Sequence, residues 1–414
     1  GHPRGLLTMI HRFLVWLHRW TGLTLTIFLV LVGITGSLLA FKTKIDRVMN
    51  PQIYANPTPG TKPLDPATLA ERAEAQFPRM RVGFFEVERE QVEIKCRPRI
   101  DPATGKPFIL NFDQVFLDPY TGKFLGHRMF GDLSEGRINI MPFIYNLHAS
   151  MALGARGEWV LGVVALIWTL DSFVGFYLTL PQGRGSFWKR WKNAWWVKWR
   201  STFFRINFDI HRAGGLWFWL LVFVFAWSSV MLALTPVYER VMGALFDYER
   251  TDAMMSYMLP QPKDNPKLGW HEAQAAGERL MNEQATKYHL TITRPFGMGY
   301  IPEFGVYTYD VRTKQDIRGH GWDAGVWVDG DTGELRKVFL PYGEHTGNTI
   351  STILWGLHYG DIRDIFAYRV LVFIFGFVIV ILAITGVYIW WKKRKARVLA
   401  QLRARELKPV GVKT

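Results

Sequence analysis

Four of the eleven histidines in this chain of 414 residues occupy related positions, because the chain contains an internal repeat. His18 in the motif LHRWTGL corresponds to His211 in the motif IHRAGGL, and His148 corresponds to His358 in a second pair of matching motifs. Neutral imidazole is a good ligand for haem iron, and two imidazoles from different helices can bind one iron axially. The repeat therefore predicts two haem b groups, one held by His18 and His211 on the inner side and one by His148 and His358 on the outer side.

Each histidine also has a simpler interpretation, as a polar residue at the point where a helix leaves a membrane. Four histidines in two repeat-related pairs weaken that interpretation. His11 lies two helical turns before His18 on the same predicted helix face, and it is an alternative ligand for the inner haem. A zinc site on the outer side is a further alternative, formed around His358 by His345, Asp361 and Asp364.

Asp171 is the only charged residue within the four most apolar stretches of the chain. An ionisable residue at such a position is costly and usually has a functional partner. We expect its carboxylate to accept a hydrogen bond from an imidazole of the inner pair and so to orient that ring. The alternative partners are the hydroxyl groups of Ser172, Ser228 and Ser229. The small residues that would let a flat macrocycle approach the helices beside the inner pair are Gly22, Gly214 and Gly215.

These four stretches have 21 to 24 residues each, and a helix of about 20 apolar residues crosses a bilayer. They are residues 21–41, 159–180, 213–236 and 370–391. The loop 181–206 and the tail 392–414 are strongly basic, which predicts that both lie in the cytoplasm and that the two long connections lie outside. Because the basic runs adjoin the spans, the net charge of +15 indicates contact with membrane lipid and not with nucleic acid.

The external segments have the composition of α+β domains. Residues 66–76 and 270–283 favour helices, whereas 84–95, 300–310 and 325–328 favour strands. Two DxxTG motifs predict tight turns between strands. The expected fold is an integral membrane, mainly α protein, in which a four-helix transmembrane bundle built from two parallel repeats carries two α+β external domains.

The predicted segments alternate between cytoplasm, membrane and the external side. Residues 1–12 form a cytoplasmic N-terminus, of which 1–8 could be a remnant of expression. The remaining boundaries are 13–41 for the first span, 42–141 for the first external domain, 142–180 for an interface segment and the second span, 181–206 for the basic loop, 207–236 for the third span, 237–345 for the second external domain, 346–391 for an interface segment and the fourth span, and 392–414 for the basic tail.

One distance conflicts with straight helices. His148 precedes Pro181 by 33 residues, which corresponds to about 50 Å of helix, whereas the bilayer core is about 30 Å thick. We therefore expect the helix to tilt or to break near residues 154–158. Aromatic side chains that could shorten an electron path between the two faces are Trp168, Trp219 and Trp227.

The single cysteine, Cys96, limits the redox chemistry that is available to the chain. It excludes an internal disulfide, covalent haem attachment through C-x-x-C-H, cysteine-ligated iron–sulfur clusters and multi-cysteine zinc sites. No flavin or nicotinamide motif is evident, so electrons would have to come from a separate donor.

The motifs LHRWTGL, NLHA, IHRAGGL and GLHYG together resemble those of the PepSY-associated transmembrane proteins, and the DxxTG hairpins resemble PepSY modules. The resemblance covers about residues 11–397. It implies a location in the bacterial inner membrane and two b haems, with the haem ligands at His18, His148, His211 and His358. Some members of the family are ferric-siderophore reductases, and this chain is most similar to the ferrioxamine type.

The resemblance implies that a ferric siderophore is reduced at the outer face and releases Fe(II), which oxygen chelators hold less tightly. The electron donor would be a cytoplasmic protein or a quinol. We expect the siderophore to lie in an external cleft near the outer histidines, where the candidate residues are Tyr145, Arg156, His345 and Tyr359. Two other functions remain open, namely a PepSY-type periplasmic binding or regulatory protein and a transporter of the iron chelate.

Overall fold

The computed structural model divides the chain into two compact units, and it describes residues 3–57, 60–183, 185–320 and 324–406. The first unit, called here the helical unit, consists of Gly1–Leu38, His148–Thr235 and Leu371–Thr414. The second, called the sheet unit, consists of Leu39–Leu147 and Pro236–Val370. Each unit contains segments from both repeats.

Thirteen α-helices and eight β-strands are present in the described residues. The helices are α1 (Pro3–Leu39), α2 (Lys42–Met49), α3 (Pro66–Gln76), α4 (Ile140–Ser150), α5 (Ala155–Leu178), α6 (Phe187–Trp191), α7 (Phe203–Trp217), α8 (Trp219–Ala233), α9 (Thr235–Leu245), α10 (Thr251–Met255), α11 (Trp270–Lys287), α12 (Thr346–Tyr359) and α13 (Phe366–Glu406). The strands are β1 (Met80–Val87), β2 (Val92–Pro98), β3 (Gln114–Leu117), β4 (Phe124–Arg128), β5 (Ile292–Ile301), β6 (Val306–Thr313), β7 (Ala324–Asp329) and β8 (Leu335–Phe339). Short 3₁₀ helices lie at Pro51–Ile53, Leu133–Asn139 and Lys192–Trp195.

Three helices in the described chain are long and apolar enough to cross a membrane. They are the Thr8–Leu39 part of α1, the whole of α5 and the Phe366–Arg403 part of α13. The third predicted span falls on α7 and α8, which meet at an angle of 68°. Phe218 joins these two helices with φ −105° and ψ 8°, although it is neither glycine nor proline. The structure thus contains three candidate spans, or four if the bent pair crosses the membrane as one.

Small residues bring helices of the helical unit into close contact. A Cβ atom on Gly33 of α1 would lie 2.7 Å from the carbonyl oxygen of Gly376 in α13. In the same way, a Cβ atom on Gly162 of α5 would lie 2.7 Å from the carbonyl oxygen of Ala233 in α8. Close approach at small residues is a common way for membrane helices to associate. Each of these pairs joins a helix of the first repeat to a helix of the second.

The chain breaks sharply between α4 and α5. Met151 and Ala152 have φ of 52° and 55°, and Gly154 has φ of 59°, so that three of the four linking residues are in left-handed conformations. A Cβ atom on Gly157 would overlap the carbonyl oxygen of Ser150, which shows how closely α5 begins against the end of α4. The predicted break therefore exists, a few residues before the predicted position. No straight helix of 50 Å follows His148.

The sheet unit contains one continuous sheet, and the prediction of two separate external domains is wrong. All eight strands are antiparallel to their neighbours, in the order β4-β3-β2-β1-β5-β6-β7-β8. Strand β1 of the first repeat pairs with β5 of the second, with Phe84 opposite Gly299 and Glu86 opposite Gly297. An unpaired edge strand exposes a row of backbone hydrogen-bonding groups. Pairing the two repeats removes one such edge from each of them, which explains why a single sheet replaces the two predicted domains. The expected fold, a four-helix bundle with two external domains, is therefore wrong. The described chain has three candidate spans, or four with the bent pair, and one eight-stranded sheet.

Helices α3 and α11 cover one face of this sheet. The predicted helix 66–76 agrees with α3, which begins where Asp65 accepts a hydrogen bond from the Thr68 backbone N–H at 2.9 Å. Both helices pack on a core whose fully buried members include Phe85, Met281 and Met298. The predicted strand 84–95 is a hairpin that contains the second half of β1 and the start of β2. The fold of this unit is thus a sheet with two repeat-related helices on one face.

The two DxxTG motifs form equivalent turns in the sheet. Asp118 accepts hydrogen bonds from two backbone N–H groups of its turn, and Gly122 has φ of 66°. Asp329 accepts two equivalent bonds after β7, and Gly333 has φ of 71°. Glycine is needed at the fifth position because other residues rarely adopt this conformation. The predicted turns are confirmed.

Candidate functional site

His18 of α1 and His211 of α7 lie against each other in the helical unit. Their ring centroids are 6.1 Å apart, with an angle of 55° between the ring planes. A bond from a metal to an imidazole nitrogen is about 2 Å long, so two imidazoles on opposite sides of one metal ion have centroids roughly 6 Å apart. The separation of these two rings therefore fits a shared metal ion such as haem iron.

Both rings are held through Nδ1. His18 donates from Nδ1 to Asp171 Oδ2 of α5 at 2.9 Å. His211 Nδ1 lies 3.0 Å from the carbonyl oxygen of Leu382 and 3.1 Å from Thr385 Oγ1, both in α13. A carbonyl oxygen can only accept, so Nδ1 carries the proton in His211 and the lone pair is on Nε2. Such orientation of a ring by a partner on its other nitrogen is characteristic of metal-binding histidines.

Asp171 is buried and uses only one of its carboxylate oxygens in this contact. It is 9% exposed, and Oδ1 has no hydrogen-bond partner among the described residues. The hydroxyl groups considered as alternative partners bond to carbonyl oxygens of their own helices, in Ser172, Ser228 and Ser229. The structure therefore brings Asp171 to His18.

Glycines lie directly against both imidazoles. A Cβ atom on Gly175 of α5 would lie 3.3 Å from His18 Cε1, and one on Gly386 of α13 would lie 3.2 Å from His211 Cε1. Such distances are tighter than ordinary packing, so a larger residue would push each ring away. These two glycines were not predicted from the sequence. Their separation of 211 residues matches the repeat, and this spacing could have identified them.

The glycines that the sequence analysis did name have different surroundings. A Cβ atom on Gly22 or Gly215 would meet no described atom within 4 Å, whereas one on Gly214 would lie 3.4 Å from a methyl group of Leu382. Gly22 and Gly215 each lie four residues after a histidine of the inner pair, and hence on the same helix face. The helix surface at these two glycines is therefore not covered by neighbouring atoms.

His148 contacts α1 near Thr35, farther along the helix than His18. Its Nδ1 lies 2.9 Å from Thr35 Oγ1, and the hydroxyl group of Thr35 donates to the Leu31 carbonyl oxygen at 2.7 Å. The Thr35 hydroxyl oxygen therefore accepts a hydrogen bond from Nδ1 of His148. A Cβ atom on Gly36 would lie 3.0 Å from His148 Cε1. Since Thr35 is 17 residues after His18, the two histidine levels are about 25 Å apart along α1.

His358 belongs to the sheet unit, near the end of α12. Its ring centroid is 5.9 Å from that of Tyr359, which stacks on Trp355 with centroids 5.9 Å apart. Tyr145 forms a hydrogen bond with Tyr359. His148 and His358 thus lie in different units, and the outer pair stays a prediction.

The other sequence candidates have separate surroundings. Arg156 lies in the exposed first turn of α5. Among the residues that the structure describes, His11 Nδ1 is buried without a hydrogen-bond partner, and the ring contact with His211 is made by His18. His345 bonds to Asp247.

The zinc alternative does not match the geometry. Asp361 bonds to His320 and Asp364 bonds to Arg369. No group of three or more His, Cys, Asp or Glu side chains suited to a metal ion occurs in the ranges that the structure describes.

Comparison with known proteins identifies one family. The family model described as the PepSY-associated TM region matches residues 15–393. This match agrees with the resemblance found in the sequence motifs, and together with the apolar helices it shows a membrane protein. No curated protein matches the chain.

Proposed function

The chain belongs to the PepSY-associated transmembrane family, and we propose that it is a di-haem cytochrome b that reduces a ferric siderophore outside the bacterial inner membrane. The observation that carries this proposal is the arrangement of His18 and His211, with rings 6.1 Å apart and both Nδ1 atoms engaged. An interfacial histidine would need neither a facing imidazole nor a fixed tautomer.

His18 and His211 would hold the inner haem through Nε2, and His148 and His358 the outer haem. Haem, when bound, supplies one-electron chemistry. Asp171 keeps the His18 ring oriented and makes it a stronger electron donor, because a carboxylate partner raises the basicity of an imidazole ligand. The carbonyl group of Leu382 does the same more weakly for His211.

The spacing of the histidine levels supports transfer across the membrane. A separation of about 25 Å along α1 is close to the thickness of the bilayer core of about 30 Å. The level of His18 therefore lies toward one face and that of His148 toward the other. Between the two levels, Phe218, Phe225 and Phe375 pack with Trp168 in one apolar cluster. An apolar cluster of this kind would keep water out of the path between the two levels.

The electron donor in this proposal is a separate quinol or a reduced cytoplasmic flavoprotein. The basic segments next to the spans agree with cytoplasmic placement of the loop and tail. Both termini would then be cytoplasmic, and the sheet unit would face the periplasm, where ferric chelates arrive.

The proposal can be tested in sealed vesicles that contain the purified protein. A quinol is supplied as reductant, a ferric trihydroxamate is added outside, and Fe(II) is trapped by an impermeant chromogenic chelator. We expect Fe(II) to form only with both donor and protein, and the His211→Ala variant to be inactive. The matched control, His271→Ala, alters an exposed histidine of α11 and should behave as the wild type. Haem-loaded wild-type protein that produces no Fe(II) would contradict the proposed reaction.

A further inference from the structure

A second histidine–carboxylate pair lies in the sheet unit, outside the four histidines discussed so far. His320 Nδ1 donates to Asp361 Oδ1 at 2.7 Å, and the His320 backbone N–H donates to Asp361 Oδ2 at 2.7 Å. The Asp361 side chain is 13% exposed, whereas that of His320 is 51% exposed. The imidazole is therefore fixed on one edge by a buried carboxylate, and its other nitrogen, Nε2, has no hydrogen-bond partner in the described part of the chain.

Backbone contacts hold the segments of His320 and Asp361 together. Gly319 donates to the Asp361 carbonyl oxygen at 3.0 Å, and Arg363 donates to the Ile317 carbonyl oxygen at 3.1 Å. A Cβ atom on Gly319 would lie 2.8 Å from Asp361 Oδ1, so only glycine allows this approach. Arg363 and Asp364 have φ of 46° and 55°. Non-glycine residues in this region cost about 1–3 kcal/mol each, and such strain concentrates at functional sites.

The pair lies close to the predicted outer haem ligand. Asp361 follows His358 by three residues, and three residues of chain span at most about 11 Å. The guanidinium group of Arg318, two residues before His320, stacks 5.3 Å from the Trp355 ring. His320 thus lies beside the end of α12 that carries His358.

Charges around the ring favour its protonated form. The charged groups that act on it are Asp361, Glu88 and Arg369. The hydrogen bond to Asp361 raises the pKa of His320 above its usual value, against the opposing effects of partial burial and of Arg369. An imidazole with a raised pKa stays protonated to a higher pH than a free one.

We propose that His320 is the proton donor of the outer site, and that it protonates a chelating oxygen of the ferric siderophore as the iron is reduced. The proposal rests on the function proposed above. Oxygen chelators hold iron through anionic oxygens, so a proton delivered to one of them blocks its return to the metal. Positioned proton transfer from a side chain commonly accelerates such steps by about 10²–10⁴-fold.

The step balances in atoms and charge. One electron, drawn from the quinol or flavoprotein donor, reduces Fe(III) to Fe(II). One iron–oxygen bond breaks, and the Nε2–H bond of the His320 imidazolium breaks as an O–H bond forms on the chelator. Neutral His320, still bonded to Asp361 through Nδ1, then takes a proton from periplasmic water.

The test is single-turnover Fe(II) release from dithionite-reduced holoprotein, with a ferric trihydroxamate and a chromogenic Fe(II) chelator. Replacing His320 by Gln should slow release on the order of 100-fold at neutral pH. The His271→Gln variant, which also loses an acid-paired histidine, should match the wild type. Oxidation of the reduced protein by ferricyanide, which needs no proton, should be equally fast in all three proteins.

The pH dependence of the wild type provides a second measurement that needs no variant. Release should be fast at low pH and fall as pH rises through a single pKa above 6.5, because the imidazolium is the active form. A flat profile between pH 6 and 9, or an H320Q protein with the wild-type rate, would overturn the role of His320 while leaving the reductase intact. Wild-type holoprotein that releases no Fe(II) at any pH would overturn the reductase and this inference together.

Discussion

The two repeats orient corresponding imidazoles from corresponding helix positions, but with different chemical groups. Asp171 and Leu382 are separated by 211 residues, the spacing that also relates Gly175 to Gly386. In the first repeat a side-chain carboxylate accepts from the imidazole, whereas in the second a backbone carbonyl oxygen does so. The comparison shows that helix geometry fixes where the acceptor of the imidazole hydrogen bond lies, whereas the charge of that acceptor differs between the repeats.

This difference makes the inner pair electrically asymmetric. Burying a charged group within a membrane span costs free energy, so a single carboxylate for the histidine pair costs less than two would. His18 should be the stronger electron donor of the two ligands, because its partner carries a full negative charge.

Removing a ligand should have the largest effect. The His211→Ala variant should lose one of two haems per chain, because no second imidazole would face His18. The haem-to-protein ratio, measured from the alkaline pyridine spectrum, should fall from two to one. The His271→Ala control should keep two haems, and a ratio of two in His211→Ala would reject the inner pair.

Removing the carboxylate should have the next largest effect. Asp171→Leu leaves His18 Nδ1 without an acceptor, and loss of such a partner typically weakens metal binding by about 10–100-fold. Asp171→Asn keeps an acceptor oxygen without the charge, so it should retain haem but raise the reduction potential of the inner site. Redox titration separates the two cases. Equal potentials in Asp171→Asn and the wild type would show that the charge does not act on His18.

A bulky residue beside an imidazole should weaken haem binding only by occupying the space that the haem needs. A Cβ atom on Gly215 would meet no described atom within 4 Å, so we expect the helices to keep their packing in Gly215→Val. Its side chain would occupy the face next to His211 and should weaken haem binding by about 1–3 kcal/mol, as overpacking does elsewhere. Gly243→Val in α9, which is equally unobstructed, is the matched control and should keep full haem content. Normal haem affinity in Gly215→Val would move the macrocycle to another face.

Removing the hydroxyl group on the second repeat should have the smallest effect. Thr385→Val deletes one acceptor for His211, but the Leu382 carbonyl oxygen remains 3.0 Å away. We expect a loss of about 1 kcal/mol in haem affinity, the usual contribution of one hydrogen bond. Competition with a haem-binding apoprotein would measure it. A loss as large as that in Asp171→Leu would contradict the asymmetry.

Much of the helical unit could be predicted because its signals are local. Nearly uncharged stretches of bilayer length predicted the candidate spans, and a chain distance that exceeded the bilayer predicted either a tilted helix or a break near residues 154–158. The bend at Phe218 carries no glycine or proline, so local sequence rules did not indicate it. Asp171 could be singled out as the one charge within the four apolar stretches, but only the packing of α5 against α1 brings it to His18.

The sheet could be predicted only in its parts. Strand and turn patterns in each repeat were visible, because alternation and DxxTG are short-range features. The pairing of β1 with β5 joins residues such as Phe84 and Gly299, more than 200 positions apart, and no local pattern encodes it. The His320–Asp361 pair was missed for the same reason.

If repeat-related histidines hold two haems, the visible absorption spectrum of the purified wild-type protein must show them. We expect a low-spin cytochrome b spectrum that sharpens on reduction with dithionite, with two haems per chain. A folded protein that is colourless, or that carries no haem after supply of haem during expression, would contradict it.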